Sequence, residues 1–206
     1  MLTLFHDVAV STESCEDVKG SKMSKKRLPD LRTVFDAIVE DIGVAVKGID
    51  KEVAETFRRA VLDARKLFLT GQGRSGSIAR AATIRLAHLR KDVFRIGEIP
   101  NPPIGRRDLL VVCSCSGSTA TALLHVKTAK KCGARIALVT ARPNSALSRE
   151  ADIVVLIPDS QNTARQLGGL PFEQALMVFL DAICLLIAKE KGVSNAVMRK
   201  RHANLE

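Results

Sequence analysis

The sequence predicts one α/β domain in which a parallel sheet is covered by helices on both faces. Short apolar segments without strict alternation recur along the chain and are separated by helical patterns, as is typical of strands buried on both sides. The length of 206 residues suits a single sheet of about five or six strands with its crossover helices. We therefore expect a three-layer, flavodoxin-like fold with five parallel strands.

The chain is expected to begin with a flexible extension at 1–29, because this stretch is polar, mixed in charge and without period. The domain itself then spans 30–206. From 31–64, apolar residues repeat at helical spacing and predict two amphipathic N-terminal helices. An α/β core at 66–191 and a C-terminal segment at 194–206 follow.

Strands and helices alternate in the core, as a parallel sheet with crossover connections requires. We predict strands at 66–70, 93–96, 109–113, 135–140 and 152–157. We predict helices at 75–90, 118–132, 145–150, 172–191 and 194–202. Ligands of such sheets bind beyond the carboxyl ends of the strands, so the loops at that edge are the candidate site.

The composition indicates which kinds of molecule the protein can bind. A net charge of +10 comes from 32 Lys and Arg against 22 Asp and Glu. The basic residues are dispersed, and the chain has no Trp, no Tyr and only seven Phe to stack on bases. These features argue against a nucleic-acid partner, and we interpret the charge as an attraction for anionic metabolites.

The cysteines and the apolar segments indicate the compartment. Five cysteines form an odd set without C-x-x-C spacing, at positions 15, 113, 115, 132 and 184. This pattern is typical of reduced cysteines used as small apolar residues, so we expect no metal site. The N-terminus lacks a cleavable signal pattern, and we find no apolar run of the ~18 residues that a membrane span requires. We therefore expect a soluble, cytoplasmic protein without a membrane partner.

Two loops of small residues, 71–76 and 114–119, each join a predicted strand to a predicted helix. The first reads Gly-Gln-Gly-Arg-Ser-Gly and the second Ser-Cys-Ser-Gly-Ser-Thr. Unpaired amides of the first helical turn, the positive end of the helix dipole and several hydroxyls can converge there on one phosphate. The two loops together predict a phosphorylated ligand held between two parallel strands.

The first loop also matches the G-x-G-x-x-G fingerprint of dinucleotide-binding proteins, so a dehydrogenase is an alternative. That fingerprint requires an acidic residue about 20 positions further on to hold a ribose, and Glu98 could serve. The hydroxyl-rich second loop has no role in dinucleotide binding. Its presence favours a phosphate site over a dinucleotide site.

Two residues are candidates for acid–base chemistry. Glu173 lies in the first turn of the predicted helix 172–191 and either faces the ligand or only complements the helix dipole. His202 lies close to the end of the chain, where a histidine by position alone is a surface residue. We interpret His88 as a packing or subunit-contact residue and Asp181 as structural.

Over about residues 31–206 the chain resembles the sugar isomerase (SIS) domain family, and more narrowly its 6-phospho-3-hexuloisomerase branch. The motifs that carry the resemblance are at 71–76, 85–89, 97–98, 108–110, 114–119, 171–175 and 201–206. The hydroxyl-rich loop is typical of the family as a whole. The Phe-Glu-Gln-Ala stretch and the Arg-His-Ala-Asn-Leu-Glu ending together indicate the branch.

The resemblance implies which residues hold the substrate. It assigns the sugar phosphate to the hydroxyls of Ser75, Ser114, Ser116 and Thr119. Beside these, we expect weaker, substrate-binding roles for the other loop residues Gly73, Arg74, Gly117 and Ser118, where Arg74 either stabilises developing negative charge or forms a plain ion pair. The resemblance further implies that Glu173 and His202 act on the sugar, and that the C-terminal segment reaches an active site completed by a neighbouring subunit of a homotetramer.

The activity that the resemblance implies is the reversible conversion of D-arabino-hex-3-ulose 6-phosphate into D-fructose 6-phosphate through an enediol or enediolate. This is a step of the ribulose monophosphate pathway of formaldehyde fixation, and it needs no cofactor. The chain departs from the branch at Cys115, where Gly is common, and at 167–171, where Pro-Met-Gly-Thr is usual.

Two alternatives remain open beside this activity. Another SIS isomerase, acting on arabinose 5-phosphate or sedoheptulose 7-phosphate, would keep the phosphate loops and change the sugar pocket. A non-catalytic sensor of sugar phosphates would keep the loops and lack the acid–base pair. The extension at 1–29 is too short for a helix-turn-helix domain, and Glu173 and His202 are both present, which argues against the sensor.

Overall fold

The computed structural model describes residues 28–158, 170–202 and 204. The strands are β1 Leu67–Gly71, β2 Val93–Arg95, β3 Leu109–Cys113, β4 Arg135–Thr140 and β5 Ile153–Leu156. All neighbouring strands pair in parallel, in the order β2-β1-β3-β4-β5. This is the five-stranded flavodoxin-like sheet that the sequence predicts.

The described helices lie close to their predicted positions. They are α1 Leu31–Lys47, α2 Lys51–Asp63, α3 Gly73–His88, α4 Ala120–Lys131, α5 Leu170–Glu190 and α6 Asn195–Lys200. The predicted extension falls almost wholly outside the described residues, so its flexibility stays a prediction.

The helix predicted at 145–150 is wrong, because this segment consists of turns. Ser148 donates its hydroxyl to the carbonyl of Ser145 at 2.8 Å and accepts from the Ser145 amide at 2.8 Å. The Ser145 hydroxyl in turn accepts from the Ser148 amide at 3.2 Å. Serine side chains that bond to nearby backbone in this way compete with the helical pattern.

Successive strand residues divide the core between the two faces of the sheet. On one face, Leu67, Leu109 and Val111 pack in a large cluster with side chains of α1, α2, α3 and α5. On the other face, Phe68 and Leu110 pack in a smaller cluster against α4. The result is the expected three-layer arrangement, with unequal outer layers.

The prediction that no apolar run reaches membrane length is wrong, because α5 is long and apolar enough to cross a membrane by length and composition. Half of its most apolar 18-residue window is nevertheless buried inside the domain. Phe172, Leu176 and Ile187 on this helix are fully enclosed, and α5 packs against both α1 and α3. In this fold α5 is therefore a core helix.

Candidate active site

The two small-residue loops lie side by side at the carboxyl edge of the sheet. The strands β1 and β3 are neighbours, and their last residues, Gly71 and Cys113, are register partners. The helix α3 begins two residues after β1, and α4 begins after the second loop. The sheet therefore brings both loops, and the first turns of both helices, to one place.

Glycine is required at two positions that shape these loops. A Cβ atom on Gly76 would lie 2.5 Å from the carbonyl oxygen of Gly71, so only glycine lets α3 approach the end of β1 this closely. Gly117 has a positive φ of 61°, and a Cβ there would lie 2.1 Å from the Ser145 hydroxyl. Both loops thus depend on a close approach or a backbone conformation that glycine alone allows.

The hydroxyls of the second loop form two hydrogen-bonded pairs. The hydroxyl oxygens of Ser114 and Thr119 are 3.1 Å apart, and the Ser114 oxygen accepts the amide of Gly117 at 3.1 Å. Ser118 donates its hydroxyl to that of Ser116 at 3.2 Å. These bonds fix the directions of the hydroxyls before any ligand arrives, which reduces the cost of ordering them on binding.

A cleft of about 270 Å³ opens between the loops. It is lined by Gln72, Ser75, Cys113, Ser114, Cys115, Ser116, Thr119 and Arg142. All four hydroxyl residues predicted to hold the phosphate therefore line one cleft. The binding itself stays a prediction, which the next observation supports.

The helices α3 and α4 lack the side-chain caps that other helices of this chain have. Asp30, Asp50 and Ser194 cap α1, α2 and α6 by accepting backbone amides. The N-cap residues of α3 and α4, Gln72 and Thr119, make no such bond, and neither helix has an acidic residue in its first turn. Both helices therefore present positive dipole ends to the cleft, as an anion site requires.

The four weaker candidates lie outside the lining of the cleft. Gly73 is the first residue of α3 and has a positive φ of 55°, and Gly117 packs against Ser145. Ser118 is exposed. Arg74 forms an ion pair with Glu173 of α5.

Glu173 lies in the first turn of α5, beside the first loop. Its carboxylate accepts Nε of Arg74 at 2.5 Å, and the side chain is only 16% exposed, whereas that of Arg74 is 64% exposed. The ion pair joins the first turns of α3 and α5, so the carboxylate faces the same edge of the sheet as the phosphate loops. Beside it, the side-chain oxygen of Gln174 is buried with no hydrogen-bond partner among the described residues.

His202 lies at the opposite end of α3. Its ring is 5.3 Å from the ring of His88, and Arg201 donates Nη1 to the carbonyl of His88 at 2.7 Å. With a rise of about 1.5 Å per residue, roughly 21 Å of helix separates Arg74 from His88. The structure therefore does not bring Glu173 and His202 together within one chain.

Sequence analysis missed Arg142, a charged residue that lines the cleft. It follows the carboxyl end of β4 by two residues, so the rule that ligands bind beyond the strand ends could have found it. The arginine belongs to no motif, and the sequence pattern just after it, at 145–150, predicts only a helix.

The cysteines differ in their surroundings. Burial raises the pKa of the Cys113 thiol, and that of Cys184, to about 12, as expected of structural residues. Cys115 is partly exposed and lines the cleft. Within the described residues, no three side chains of His, Cys, Asp or Glu are grouped to hold a metal ion.

Glu98, the acid of the dinucleotide alternative, is paired with an arginine of α3. Its carboxylate lies 3.1 Å from Nε of Arg80 and 4.0 Å from Nη1 of Arg95. This arrangement gives Glu98 a role in joining α3 to the end of β2.

The fold and the cleft together define a class of α/β proteins that bind phosphorylated ligands at two helix ends. The SIS domain matches residues 61–187, which is more than half of the chain. The chain belongs to the SIS domain family, as the motifs in its sequence predict.

Two of its relatives within the family share one name. A Mycobacterium gastri protein named 3-hexulose-6-phosphate isomerase is 35% identical over 183 residues, covering 86% of this chain and 92% of the relative. A Bacillus subtilis (strain 168) protein of the same name is 31% identical and covers 82% and 95%. A solved Methanococcus jannaschii structure, described as inferring that molecular function, has a TM-score of 0.75 at 28% identity and covers 84% and 98%.

Proposed function

We propose that this chain is a phosphosugar isomerase that interconverts D-arabino-hex-3-ulose 6-phosphate and D-fructose 6-phosphate. The observation that carries the proposal is the cleft at the uncapped ends of α3 and α4, with a carboxylate beside it. The names of the two curated relatives supply the sugar. The reaction belongs to the ribulose monophosphate pathway of formaldehyde fixation, in the cytoplasm.

The phosphate binds to the hydroxyls of Ser75, Ser114, Ser116 and Thr119 and to amides of both helix ends. Because the phosphate is remote from the reacting carbons, its binding energy positions the sugar without resisting the reaction. The phosphate site thereby holds C2 and C3 near the edge of the sheet where α5 begins.

Glu173 acts as the base. Its carboxylate takes the proton from C2 of the 3-ketose, the electron pair forms the C2–C3 double bond, and the carbonyl oxygen on C3 gains the negative charge. Return of the same proton to C3 then yields the 2-ketose, while the hydroxyl proton passes from O2 to O3. No atom is gained or lost, and the ion pair with Arg74 holds the carboxylate in place.

His202 moves the proton between the two oxygens, because an imidazole ring can accept a proton on one nitrogen and donate one from the other. Because it lies at the far end of α3 in its own chain, we propose that it serves the site of a neighbouring subunit. The exposed apolar residues of α1, Leu31, Phe35 and Val39, recur every four positions and suit subunit packing. The assembly is proposed to be a homotetramer.

A coupled assay tests the proposal. A purified synthase generates the hexulose phosphate from formaldehyde and ribulose 5-phosphate, and the formation of fructose 6-phosphate is followed after this protein is added. We expect a rate proportional to the protein concentration. Arabinose 5-phosphate and sedoheptulose 7-phosphate are assayed in parallel, and turnover of either one alone would assign the chain to another SIS isomerase activity.

A further inference from the structure

We infer that Arg74 is a further catalytic residue, whose guanidinium contacts the sugar and stabilises the negative charge that forms on O3. The inference deepens the proposed function and rests on it for the identity of the reaction. In that reaction Glu173 removes the proton from C2, and the oxyanion that forms on O3 then needs a positive partner close to the base.

Arg74 is held directly against the proposed base. Its Nε donates to Oε2 of Glu173 at 2.5 Å, and this bond joins the first turn of α3 to the first turn of α5. Loss of a proton from C2 places the negative charge on the oxygen of the adjacent carbon, so a donor for that oxygen has to lie beside the base. The ion pair therefore brings a guanidinium to the side of the enediolate that becomes charged.

The bond to Glu173 uses only part of the guanidinium of Arg74. A guanidinium carries N–H donors on Nε and on both Nη atoms in one rigid plane, and Nε supplies its single donor to the carboxylate. The donors of Nη1 and Nη2 are not part of that bond. The side chain of Arg74 is 64% exposed, so a bound sugar can reach these donors, whereas the carboxylate beside it is more enclosed. Arg74 can thus hold the carboxylate and bind an oxyanion at the same time.

The position of Arg74 along the chain suits a substrate whose phosphate is remote from its reacting carbons. Arg74 directly precedes Ser75, whose side chain lines the phosphate cleft, whereas Arg74 and Glu173 lie outside that lining. In the hexulose phosphate, C4, C5 and C6 separate C3 from the phosphate ester oxygen. A sugar held in the cleft by its phosphate therefore extends past the first turn of α3, which brings C2 and C3 toward the ion pair.

The charge at the start of α3 also favours this role. The first turn of α3 contains Arg74 and no acidic residue, although the positive end of a helix dipole favours an anion. The carboxylate of Glu173 balances this positive charge before the reaction. When Glu173 takes the proton from C2 it becomes neutral, and the negative charge moves to O3. Arg74 and the helix end therefore attract one negative charge before and after the transfer, with little rearrangement of the protein.

Three variants of the full chain test the effect on turnover. R74Q removes the charge, R74K keeps the charge but not the planar fork, and R80Q removes another exposed arginine of α3, which pairs with Glu98. We measure kcat and KM for the hexulose phosphate and the melting temperature of each variant. R74Q should lose about 100- to 1000-fold in kcat, as is usual for the loss of an oxyanion donor, and keep KM within about threefold of wild type. R74K should fall between R74Q and wild type, and R80Q should equal wild type.

Two inhibitors separate contact with the oxyanion from a role that acts only through Glu173. 4-Phospho-D-erythronohydroxamate has a planar group whose two oxygens imitate O2 and O3 of the enediolate. D-Erythritol 4-phosphate has the same phosphate but a tetrahedral carbon in place of that group. Both are titrated into E173Q and into the double variant E173Q/R74Q, in which no carboxylate is left for Arg74 to position. The added R74Q change should weaken binding of the hydroxamate about 100-fold and leave that of erythritol phosphate within about threefold.

Three results would overturn the inference. The first is a kcat of R74Q within about threefold of wild type. The second is an equal affinity of E173Q and E173Q/R74Q for the hydroxamate, which would show that Arg74 acts only through Glu173. The third is an equal loss of affinity for both inhibitors, which would show that the substitution disturbs the site as a whole.

The two proposals fail in distinguishable ways. If the wild-type chain isomerises no hexulose phosphate, both inhibitors are titrated by calorimetry into wild type, R74Q and R80Q. A preference of wild type and R80Q for the hydroxamate that R74Q lacks would then keep Arg74 as an anion contact beside the phosphate site, while the proposed reaction falls. No such preference in wild type, or the same preference in R74Q, would remove the role of Arg74 as well.

Discussion

At the scale of single residues, Glu173 is positioned by two helices rather than by a local motif. Its backbone belongs to α5, whereas its carboxylate is held by Arg74 of α3, and the carboxylate is far less exposed than the arginine that holds it. The pairing leaves the acid at the edge of the sheet where the ligand is expected. Its role can be tested by a change that keeps the shape of the side chain.

The variant E173Q should lose at least about 100-fold in kcat, because the amide cannot accept the proton from carbon. Its KM and melting temperature should stay close to the wild-type values, since the phosphate loops are untouched. D181N, eight residues further along α5, is the control, because Asp181 forms an exposed 3.7 Å pair with Arg85 and lies away from the cleft lining. Near-normal turnover by a folded E173Q would remove the proposed base.

At the scale of elements, a hydrogen bond joins β1, the strand before the first loop, to α4, the helix after the second loop. The Thr70 hydroxyl and Nδ1 of His125 are 3.0 Å apart, and Thr70 immediately precedes the first loop. Burial lowers the pKa of His125. The folded state therefore resists the protonation that the unfolded chain undergoes at about 6.5.

We expect this histidine to make stability depend on pH. Between the two pKa values the unfolded state binds more protons, so stability is fully present above about pH 6.5 and falls as pH falls through and below that value. Melting temperatures of wild type and H125Q between pH 7.5 and 5 check this. H125Q should show a shallower decline, whereas T70V, which keeps the histidine, should retain the slope; equal slopes in wild type and H125Q would contradict the assignment.

At the amino ends of the strands, opposite the cleft, a buried carboxylate stabilises the fold. Asp108 is buried just before β3, accepts Nε and Nη2 of Arg65 at 3.0 Å each, and accepts the amide of Gly105 at 2.8 Å. Because these bonds lie at the amino ends of the strands, they are remote from the cleft.

D108A should lower the free energy of unfolding by about 3 kcal/mol, since it leaves the amide and part of the guanidinium without their acceptor. Urea unfolding measures this change. KM for the sugar phosphate should stay at the wild-type value at temperatures where the variant is folded. A large rise in KM without loss of stability would show that the two edges are not independent.

Much of the fold and half of the site follow from particular stretches of sequence. The loops at 71–76 and 114–119 could be predicted because small residues after apolar strands have a local physical meaning. Arg142 lies in no motif, and finding it requires the rule that ligands bind beyond the strand ends together with the sheet order, which brings the end of β4 beside β3. The turns at 145–150 were missed because side-chain bonds of Ser145 and Ser148 replace the helix.

At the scale of the whole molecule, the two proposed catalytic residues lie at opposite ends of α3. His202 lies beside His88 because of the length of α3 and the position of α6. The C-terminal sequence motif alone predicts neither of these. If each site combines Glu173 of one subunit with His202 of another, a mixture of two variants that each lack one of these residues should contain some complete sites.

E173Q and H202Q should each be nearly inactive as pure proteins. Mixed in equal amounts under conditions that exchange subunits, they should recover about one quarter of the wild-type activity, because that fraction of sites combines both intact residues. Size-exclusion chromatography monitors the assembly. If both residues act within one chain, the mixture would show no recovery.

The uncapped ends of α3 and α4 also affect the protein when it is empty. Each of these two helices begins with amide donors that its N-cap side chain does not bond, so we expect a bound phosphate to serve as their cap. At a concentration one hundred times its Kd, a ligand that binds only the folded state adds about 2.7 kcal/mol to stability. We therefore expect the folded protein to resist unfolding better when its substrate is abundant than when it is scarce.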